Sequence, residues 1–377
     1  MKKPILFSFF SGSGFLDLGF EMNGFDVQYV NEYHKPFLSA YKYSREKLNI
    51  KKPKYGFDDR SIEELVHGNA AFELQDKVSD AKKSGSLLGF IGGPPCPDFS
   101  VGGKNKGSEG DNGKLTKVYV EGIIKFLPDF FIFENVKGLW RTKRHREFYE
   151  AMKSKLTDAG YILADRLTNS IEFGVPQDRD RIILFGIKKG LTQSQSNGCL
   201  LNDLNWPKYI IFDKKQLLED TAWPSQDAYQ ENSTTEIPSE VKTLKELTIQ
   251  HWFEKNEVDS HPNSKDFFTP RAALVRFQTI NEGDVTKKSF KRLHRWRYSP
   301  TAAYGNNEVH IHPYFSRRIS AAEALAIQSL PKEFQLPSEM SLSNMFKTIG
   351  NGVPFLLSSG VAKMIKDYLK MNTNLTK

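Results

Sequence analysis

The residue best suited to act as a nucleophile is Cys96, in the segment Gly92-Gly93-Pro94-Pro95-Cys96-Pro97. This segment directly follows an apolar run that predicts a strand, and ligands bind at strand ends in open α/β sheets. Prolines on both sides of the cysteine restrict the backbone. A structural cysteine belongs inside an apolar run instead, so the sequence predicts a thiol held rigidly at a cleft.

A carboxylate follows the next apolar run. Glu134 comes 38 residues after Cys96 (134 − 96) and opens the segment Glu134-Asn135-Val136, which ends the run Phe130–Phe133. Because neighbouring parallel strands end at the same sheet edge, we expect Glu134 to stand beside the thiol. A thiol and a carboxyl group in one pocket are residue types of nucleophilic catalysis.

A glycine-containing turn, Phe10-Ser11-Gly12-Ser13-Gly14, follows the first apolar run. A dinucleotide fingerprint would continue to a third glycine, but Asp17 stands there, so a pyrophosphate is not indicated. Glu32 ends the second run, where a carboxylate can accept hydrogen bonds from both hydroxyls of a ribose. The pattern fits a nucleoside without a pyrophosphate, and a solvated Glu after a tight turn is the alternative.

Two further carboxylates, Asp58 and Asp59, precede the helical pattern Ile62–Val66. Either side chain could accept a hydrogen bond from an adenine amino group. Capping of a surface helix explains the same pair without a ligand. The sequence leaves both the role and the choice between the two residues open.

The elements around these residues predict an α/β fold with a Rossmann-like sheet. Apolar runs without alternation indicate strands buried on both faces of a parallel sheet, at Ile5–Phe10, Val27–Asn31, Leu87–Ile91 and Phe130–Phe133. A helical pattern from Leu115 to Leu127 ends at Pro128. Tyr161–Leu167 and Arg181–Ile187 predict a final strand pair.

The length of 377 residues predicts one large domain and a smaller one. The periodic apolar pattern weakens after Gly190, so we expect a catalytic and cofactor-binding domain at 1–189 and a second domain at 190–316. Helical patterns at Ile319–Leu330 and Phe355–Leu369 predict that residues 317–377 return to the first domain.

The composition limits which metals, membranes and macromolecules the chain is expected to bind. The two cysteines give neither a disulfide framework nor a metal-ligand spacing, so we expect no metal and residence in the cytoplasm, close to the nucleoid. The apolar runs are too short to span a bilayer. A net charge of +8 suits a polyanionic partner.

The chain resembles the DNA cytosine-5 methyltransferase family, of the bacterial restriction-modification type. Six blocks carry the resemblance in the family's order: Phe10 to Gly14, Pro95-Cys96, Glu134-Asn135-Val136, Gln177-Asp178-Arg179-Asp180-Arg181, Arg318 to Pro331, and Gly350-Asn351-Gly352-Val353-Pro354. The chain departs from the commonest pattern at Pro97, at Ile327 before Gln328, and in lacking a glycine ahead of Asp58. The region 190–316 matches none of these blocks.

The resemblance implies a reaction. The Cys96 thiolate attacks C6 of a cytosine flipped out of duplex DNA, and Glu134 offsets the charge that develops in the ring. Arg181, with Arg179 beside it, holds the cytosine O2 and a backbone phosphate. The methyl donor is S-adenosylmethionine, which leaves as S-adenosylhomocysteine.

Further cofactor residues follow from the same resemblance, and further DNA contacts follow mainly from basic residues interleaved with glycines or with aromatics. The predicted cofactor contacts are Phe10, Gly12, Gly14, Phe15, Glu32, Asp58 or Asp59, Pro95, Leu115, Asn351 and Val353. The predicted DNA contacts lie in a basic, glycine-rich stretch after the nucleophile, in the arginine motif, and in a basic and aromatic stretch of the variable region: Ser100, Gly102, Lys104, Lys106, Gln177, Lys291, Arg292, Arg295 and Arg297.

Two other functions remain open at this point. An RNA cytosine-5 methyltransferase would use the same nucleophile and acid, although a variable region of this size favours sequence readout in DNA. A non-catalytic nucleic-acid-binding module on the same scaffold is the second, but it would not need Cys96, Glu134 and both arginines. A paired restriction endonuclease and a monomeric enzyme complete the expectation.

Overall fold

The computed structural model describes residues 2–95, 111–192, 203–270, 274–287, 289–302, 304 and 308–372. A seven-stranded sheet in the order β3-β2-β1-β4-β5-β7-β6 forms its centre. The strands are β1 (Ile5–Phe9), β2 (Asp26–Asn31), β3 (Phe57–Asp58), β4 (Leu88–Gly92), β5 (Phe130–Val136), β6 (Tyr161–Asn169) and β7 (Asp180–Lys188). All pairings are parallel except those of β7, which runs antiparallel to β5 and β6. The predicted Rossmann-like sheet with a final strand pair is confirmed.

Twelve α-helices are described around this sheet. They are α1 (Phe15–Glu21), α2 (Lys35–Lys47), α3 (Ile62–Val66), α4 (Ala70–Lys83), α5 (Asp111–Phe126), α6 (Gly138–Arg141), α7 (Lys143–Asp158), α8 (Ile249–Lys255), α9 (Leu274–Thr279), α10 (Ala321–Ile327), α11 (Leu342–Asn351) and α12 (Phe355–Asn372). The predicted helices after Leu115, at Ile319–Leu330 and from Phe355 correspond to α5, α10 and α12. Strand β3 has two residues and was not predicted, because so short a run carries no periodicity.

The two faces of the sheet bury separate cores, because successive side chains of a strand point to opposite faces. Phe7, Phe90 and Phe131 face α3, α4, α5 and α7. Leu6 and Ile132 face the helices α1, α2 and α12. Both faces are therefore covered, which explains why the strands lack polar alternation.

The C-terminal helix α12 packs directly on α1. A Cβ atom at Gly19 would lie 2.2 Å from Ser358 Oγ, so the two helices meet where α1 has no side chain. Ser358 donates a hydrogen bond to the carbonyl of Leu16 at 2.5 Å. The end of the chain thus closes over the helix that follows the glycine turn.

A third core joins the variable region to the helices that follow it. Trp252 of α8 and Val309 pack with Leu325 of α10 and Phe346 of α11. Ser320 and Glu323 form a reciprocal capping box that fixes the start of α10. Over 203–316 the described residues form only short elements: besides α8 and α9 these are 3-10 helices at Trp206–Lys208 and Ser239–Leu247 and a π-helical turn at Gln216–Asp220. Among the described residues, no helix has the length and hydropathy that crossing a bilayer requires.

Candidate active site

The predicted site residues collect at one edge of the sheet. The strands β1, β2, β4 and β5 are parallel, so the segments that follow them leave from the same edge. The segments after β1, β2 and β4 carry the glycine turn, Glu32 and the Gly93–Pro95 stretch, and the end of β5 carries Glu134. The topology therefore brings together the two halves of the predicted site, one for a nucleoside and one for a reacting base.

The glycine turn after β1 needs its glycines. Gly12 and Gly14 have φ of 57° and 81°, a left-handed region that side chains disfavour. A Cβ atom at Gly14 would lie 2.5 Å from the ring of Tyr41 and 2.6 Å from Arg45. Arg45 also donates to the carbonyl of Gly14 at 2.6 Å, so a buried guanidinium fixes the turn from the protein interior.

Glu32 lies against this turn, as the sequence predicted. Its Oε2 accepts from the backbone N–H of Gly12 at 2.8 Å, and its Oε1 accepts from that of His34 at 2.7 Å. Burial raises the pKa of Glu32, while the two backbone donors and Lys347 oppose that rise. Each carboxylate oxygen can accept further hydrogen bonds.

Asp58 and Asp59 differ sharply in their surroundings. Asp58 is buried and accepts from the Tyr29 hydroxyl at 2.9 Å and from Arg60 Nη2 at 2.7 Å. Burial opposes but does not overcome these partners, so the pKa of Asp58 lies below its usual value. The Asp59 side chain is 48% exposed and has one ion pair, with Lys35 at 3.4 Å. Asp59 is therefore the carboxylate with room for a ligand.

The other predicted cofactor residues are placed unequally. Phe10 is half-buried and packs edge-on to Tyr119, and Asn351 is exposed at the end of α11. Pro95 and Leu115 are half-buried, and the Val353 side chain lies in the core.

The Phe15 ring has little surface free for a ligand. The ring is 2% exposed and packs edge-on to Phe334. It occupies the place that a Cβ at Gly352 would take, so it packs against the segment Gly350–Gly352.

Glu134, the predicted acid, contacts the segment that leads to the predicted nucleophile Cys96. A Cβ atom at Gly93 would lie 2.6 Å from Glu134 Oε2, and Gly93 precedes Cys96 by three residues (96 − 93). Asn135 donates from Nδ2 to the carbonyl of Pro94 at 3.4 Å and accepts at Oδ1 from the N–H of Val136. The end of β5 therefore fixes the backbone that leads into the cysteine.

Glu134 is buried beside Arg181. Arg181 Nε lies 2.8 Å from Glu134 Oε1, and the two side chains are 9% and 10% exposed. Burial raises the pKa of Glu134, and the positive charges of Arg181 and Arg179 act against that rise. Burial therefore favours the protonated form of this carboxyl group more than in a free glutamate, which suits proton donation.

Cys96 itself lies outside the described residues. So do four of the predicted DNA contacts: Ser100, Gly102, Lys104 and Lys106. The described chain reaches Pro95 on one side and resumes at residue 111 on the other.

Arg179 does not offer its guanidinium to a substrate, so its prediction as a substrate contact requires correction. The side chain is 1% exposed. It donates to the carbonyls of Ala302 at 2.9 Å, Gly350 at 2.7 Å and Gly352 at 3.0 Å. Arg179 instead ties the variable region to the C-terminal glycine segment around Asn351.

Gln177 belongs to the same buried junction and is not placed to contact DNA. Its side chain is fully buried, accepts from the N–H of Ala302 at 3.1 Å and donates to Gln328 at 3.4 Å. Gln328 in turn donates to the carbonyl of Ile349 at 2.6 Å. In the motif Gln-x-Arg-x-Arg, Gln177 and Arg179 therefore bind groups inside the protein, whereas Arg181 pairs with Glu134.

Two of the four cations predicted to contact DNA in the variable region are internal. Arg292 is fully buried and donates to several backbone carbonyls, including that of His312 at 2.6 Å and that of Phe277. Arg295 is 3% exposed and pairs with Glu282 at 2.7 Å. These two predictions are corrected, because their donors are used inside the protein, whereas Lys291 and Arg297 are partly exposed.

Sequence reasoning missed two residues that organise the site. Arg45 sits in an ordinary amphipathic helix, and no local pattern marks its contact with Gly14. Asp180 lies inside the arginine motif, a signal that could have been used. It accepts from Lys214 at 2.7 Å and from Lys137, and these cations hold its pKa at about 2 despite its burial.

No group of three or more His, Cys, Asp or Glu among the described residues is arranged to hold a metal ion.

Comparison with known proteins adds to this geometry. The family model for C-5 cytosine-specific DNA methylase matches residues 6–367. The type II methyltransferase M.NmeDI of Neisseria meningitidis serogroup C is 57% identical over 376 residues, covering 100% of this chain and 86% of that protein. The type II methyltransferase M.FnuDI of Fusobacterium nucleatum is 29% identical, covering 97% of this chain and 94% of that protein.

Solved structures share the fold at low sequence identity. A methyltransferase encoded within an Escherichia coli prophage, described as a DNA modification enzyme, matches with a TM-score of 0.64 at 18% identity, covering 98% of this chain and 100% of that one. A DNMT2 of Spodoptera frugiperda matches with a TM-score of 0.56 at 16% identity, covering 97% and 100%.

Proposed function

The chain belongs to the family of C-5 cytosine-specific DNA methylases, and from this premise we propose that Cys96 is its covalent nucleophile and Glu134 its acid. The protein is an enzyme that methylates carbon 5 of cytosine in DNA. The contact of Glu134 Oε2 with Gly93, three residues before Cys96, carries the assignment of the two roles. It brings the carboxyl group to the segment that presents the thiol.

The chemistry requires these two groups together. Carbon 5 of cytosine is a weak nucleophile until a thiolate bonds to C6. Cys96 forms that bond, Glu134 gives its proton to N3, and the electrons of the ring then make C5 an enamine carbon. After C5 accepts the methyl group, a base or water removes the C5 proton, the Cys96 sulfur leaves C6 as thiolate, and the N3 proton returns to Glu134. The raised pKa of Glu134 makes a proton available for the first step.

Arg181 orients both Glu134 and the cytosine. Its guanidinium is a fixed fork of donors, one of which meets Glu134 Oε1 at 2.8 Å. Its Nη1 donates to the carbonyl of Asp180 at 2.8 Å, which fixes the side chain at the start of β7, and from there the guanidinium would hold the cytosine O2. Asp180 and its two lysine partners keep this end of the strand in place. The target base reaches this pocket only by flipping out of the duplex.

The residues of the glycine turn fit S-adenosylmethionine as the methyl donor. Ser11 Oγ is buried without a hydrogen-bond partner among the described residues, so this edge holds a polar atom that a ligand could satisfy. Space above Gly12 is open, since the nearest atom to a Cβ there is Thr348 Oγ1 at 3.9 Å. No pyrophosphate-binding third glycine is present. When bound, this group supplies an electrophilic methyl group.

The predicted ligand contacts divide by chemistry. Glu32 would accept hydrogen bonds from the ribose hydroxyls. One side of the ligand would be lined by Phe10 and by the backbone of Gly12, Gly14 and Pro95. The other side would be lined by Leu115, Asn351 and Val353. Asp59 would accept from the adenine amino group, since the Asp58 oxygens are taken by Arg60 and Tyr29. Calorimetric titration of D59N with the cofactor tests this choice, and unchanged affinity would reject it.

The variable region 190–316 would read the DNA sequence, and the residues before and after it would form the catalytic domain. Lys291 and Arg297 remain candidates for phosphate contacts because both are partly exposed. Methylation would protect host DNA from a paired endonuclease, a role suggested by the type II names of the relatives. We further propose a monomer acting in the cytoplasm.

A mechanism-based trap tests the nucleophile. Sequencing of methylated DNA from cells that express the chain first identifies the target site. Duplex DNA with 5-fluorocytosine at that site, incubated with the methyl donor, should then form a stable protein adduct, because fluorine blocks removal of the C5 substituent.

The controls use the two cysteines of the chain. C96S should form no adduct, while C199S should form it at the wild-type level. An adduct with C96S, or none with the wild type, would overturn the proposed role of Cys96. Parallel assays with transfer RNA distinguish an RNA substrate.

A further inference from the structure

A cationic surface lies beside the active site at the corner between α6 and α7. The eleven residues 136–146 contain five Lys or Arg and no Asp or Glu. The cations are Lys137, Arg141, Lys143, Arg144 and Arg146. This segment leaves the end of β5 two residues after Glu134, and Val136 pairs with Arg181 across the sheet. The segment therefore starts at the sheet edge that carries Glu134 and Arg181, where Lys137 pairs with Asp180.

Some of these charges are already used inside the protein. Lys137 pairs with Asp180, and Arg146 pairs with Glu150 at 2.6 Å. Arg141 and Lys143 are exposed, and neither has an ion-pair partner among the residues that the structure describes. Two full positive charges thus face solvent next to the active site.

The corner that carries them is firmly packed. Leu139 is fully buried, His145 is 4% exposed, and the Arg146 guanidinium stacks 3.7 Å from the centre of the Trp140 ring. Arg141 and Lys143 therefore project from a fixed backbone. Fixed charges bind a rigid polyanion with less loss of conformational entropy than charges on a mobile loop.

Helix stability explains Arg141, which lies in the last turn of α6, but not the cations that follow it. Helix α7 begins at Lys143 and has no acidic residue in its first turn. Cations at the start of a helix oppose the helix dipole and destabilise the helix slightly. Binding of an anionic partner by these cations would offset the destabilisation of the helix.

We propose that Arg141 and Lys143 form a phosphate-binding surface that holds the backbone of duplex DNA beside the flipped cytosine. The inference rests on the proposed function, in which duplex DNA carries the reacting base. Phosphate contacts fix the position of a duplex and carry no sequence information directly. The planar guanidinium of Arg141 suits two phosphate oxygens at once, and Lys143 adds a point charge.

Salt dependence of DNA binding measures such contacts. Each phosphate contact contributes about −0.9 to the slope of log K against log salt concentration. The full-length R141A/K143A variant should therefore show a slope less steep by about 1.8, and an affinity lower by about tenfold or more near 0.1 M salt. The loss should be equal for duplexes with and without the target site, and cofactor affinity should not change.

A matched control removes two charges from the opposite edge of the sheet. Lys3 precedes β1 and Lys83 ends α4 ahead of β4, and both are exposed. K3A/K83A should keep the wild-type slope, and R141K/K143R should keep most of it. Thermal unfolding checks that each variant is folded, and R141A and K143A singly, each with about half the effect, serve if the double variant is not.

The outcomes separate the two proposals. Wild-type slope in a folded R141A/K143A that still methylates DNA overturns the phosphate surface and leaves the proposed function intact. Equal slope changes in R141A/K143A and K3A/K83A also overturn it, since net charge alone then explains the effect. Failure of the wild type to bind or methylate duplex DNA removes the proposed function and this surface with it.

Discussion

Gly93 and Glu134 are in close contact: Glu134 Oε2 lies 2.6 Å from the position that a Cβ atom on residue 93 would take. The carboxyl group is buried, and Arg181 holds its other oxygen, so it has little room to withdraw. The absence of a side chain at Gly93 is therefore what lets the acid approach the segment that leads to Cys96.

The substitution G93A should displace Glu134 and lower turnover strongly while leaving the fold intact. Loss of a positioned proton donor costs about 100-fold to 10,000-fold in rate. Single-turnover methylation measures the effect, and cofactor titration should show near-normal affinity. G190A is the matched control, because nothing lies within 4 Å of a Cβ there. Normal turnover by G93A would show that the contact has no role in catalysis.

The substitution E134Q should remove one limb of the pH–rate profile. Burial raises the pKa of Glu134, so the neutral form persists to higher pH than in a free carboxyl group. Wild-type turnover should then fall as pH rises through this raised pKa, because the proton is lost. E134Q keeps the shape but has no proton to lose, so its low rate should not vary over that range. An identical profile in both proteins would contradict the assignment of Glu134 as the acid.

Asp180 should stabilise the fold in a pH-dependent way. Its pKa falls from 3.8 to about 2 although burial acts to raise it, because Lys137, Lys214 and Asn169 donate to the carboxylate. A depressed pKa contributes stability above pH 3.8 that is lost as pH falls through about 2. The shift corresponds to about 2 kcal/mol, which solvent screening of this partly exposed group reduces to about 1 kcal/mol.

Denaturant unfolding of D180N against the wild type measures this contribution. The free energy of unfolding should be lower in D180N at pH 7, and the difference should shrink as the pH is lowered below 4. A difference that stayed constant down to the lowest accessible pH would mean that packing, and not charge, accounts for it.

Arg179 should act on the cofactor segment through the backbone. R179K loses the planar fork that spans the carbonyls of Ala302, Gly350 and Gly352, and unmet buried carbonyls cost about 1–3 kcal/mol. Because Asn351 lies between two of these carbonyls, cofactor affinity should fall by about tenfold as well. Calorimetry and thermal unfolding measure the two effects.

R292K provides the comparison, since Arg292 is an equally buried arginine that donates to backbone carbonyls within the variable region. It should lose stability to a similar extent without loss of cofactor affinity. If both variants weaken cofactor binding equally, global destabilisation explains the result and Arg179 has no specific link to the segment.

Local pattern was enough for much of the molecule. Buried strands without alternation, a helix ending at Pro128 and a cysteine between prolines are features of neighbouring residues, so the parallel sheet, its final strand pair and the edge carrying Glu134 followed from the sequence, whereas the order of the strands did not. Those features depend on backbone geometry and on short-range periodicity, which a chain displays directly. Arg181 was identified differently, from the resemblance of its motif to the family.

Burial was decided only by the tertiary structure. Arg292 and Arg295 stand in a basic and aromatic stretch typical of a nucleic-acid surface, yet Glu282 and distant carbonyls surround them. Arg179 meets carbonyls 123, 171 and 173 residues away, and Gln177 meets Gln328. A charged side chain is driven inward or left outside by partners that the fold brings to it, and those partners leave no mark on its sequence neighbours.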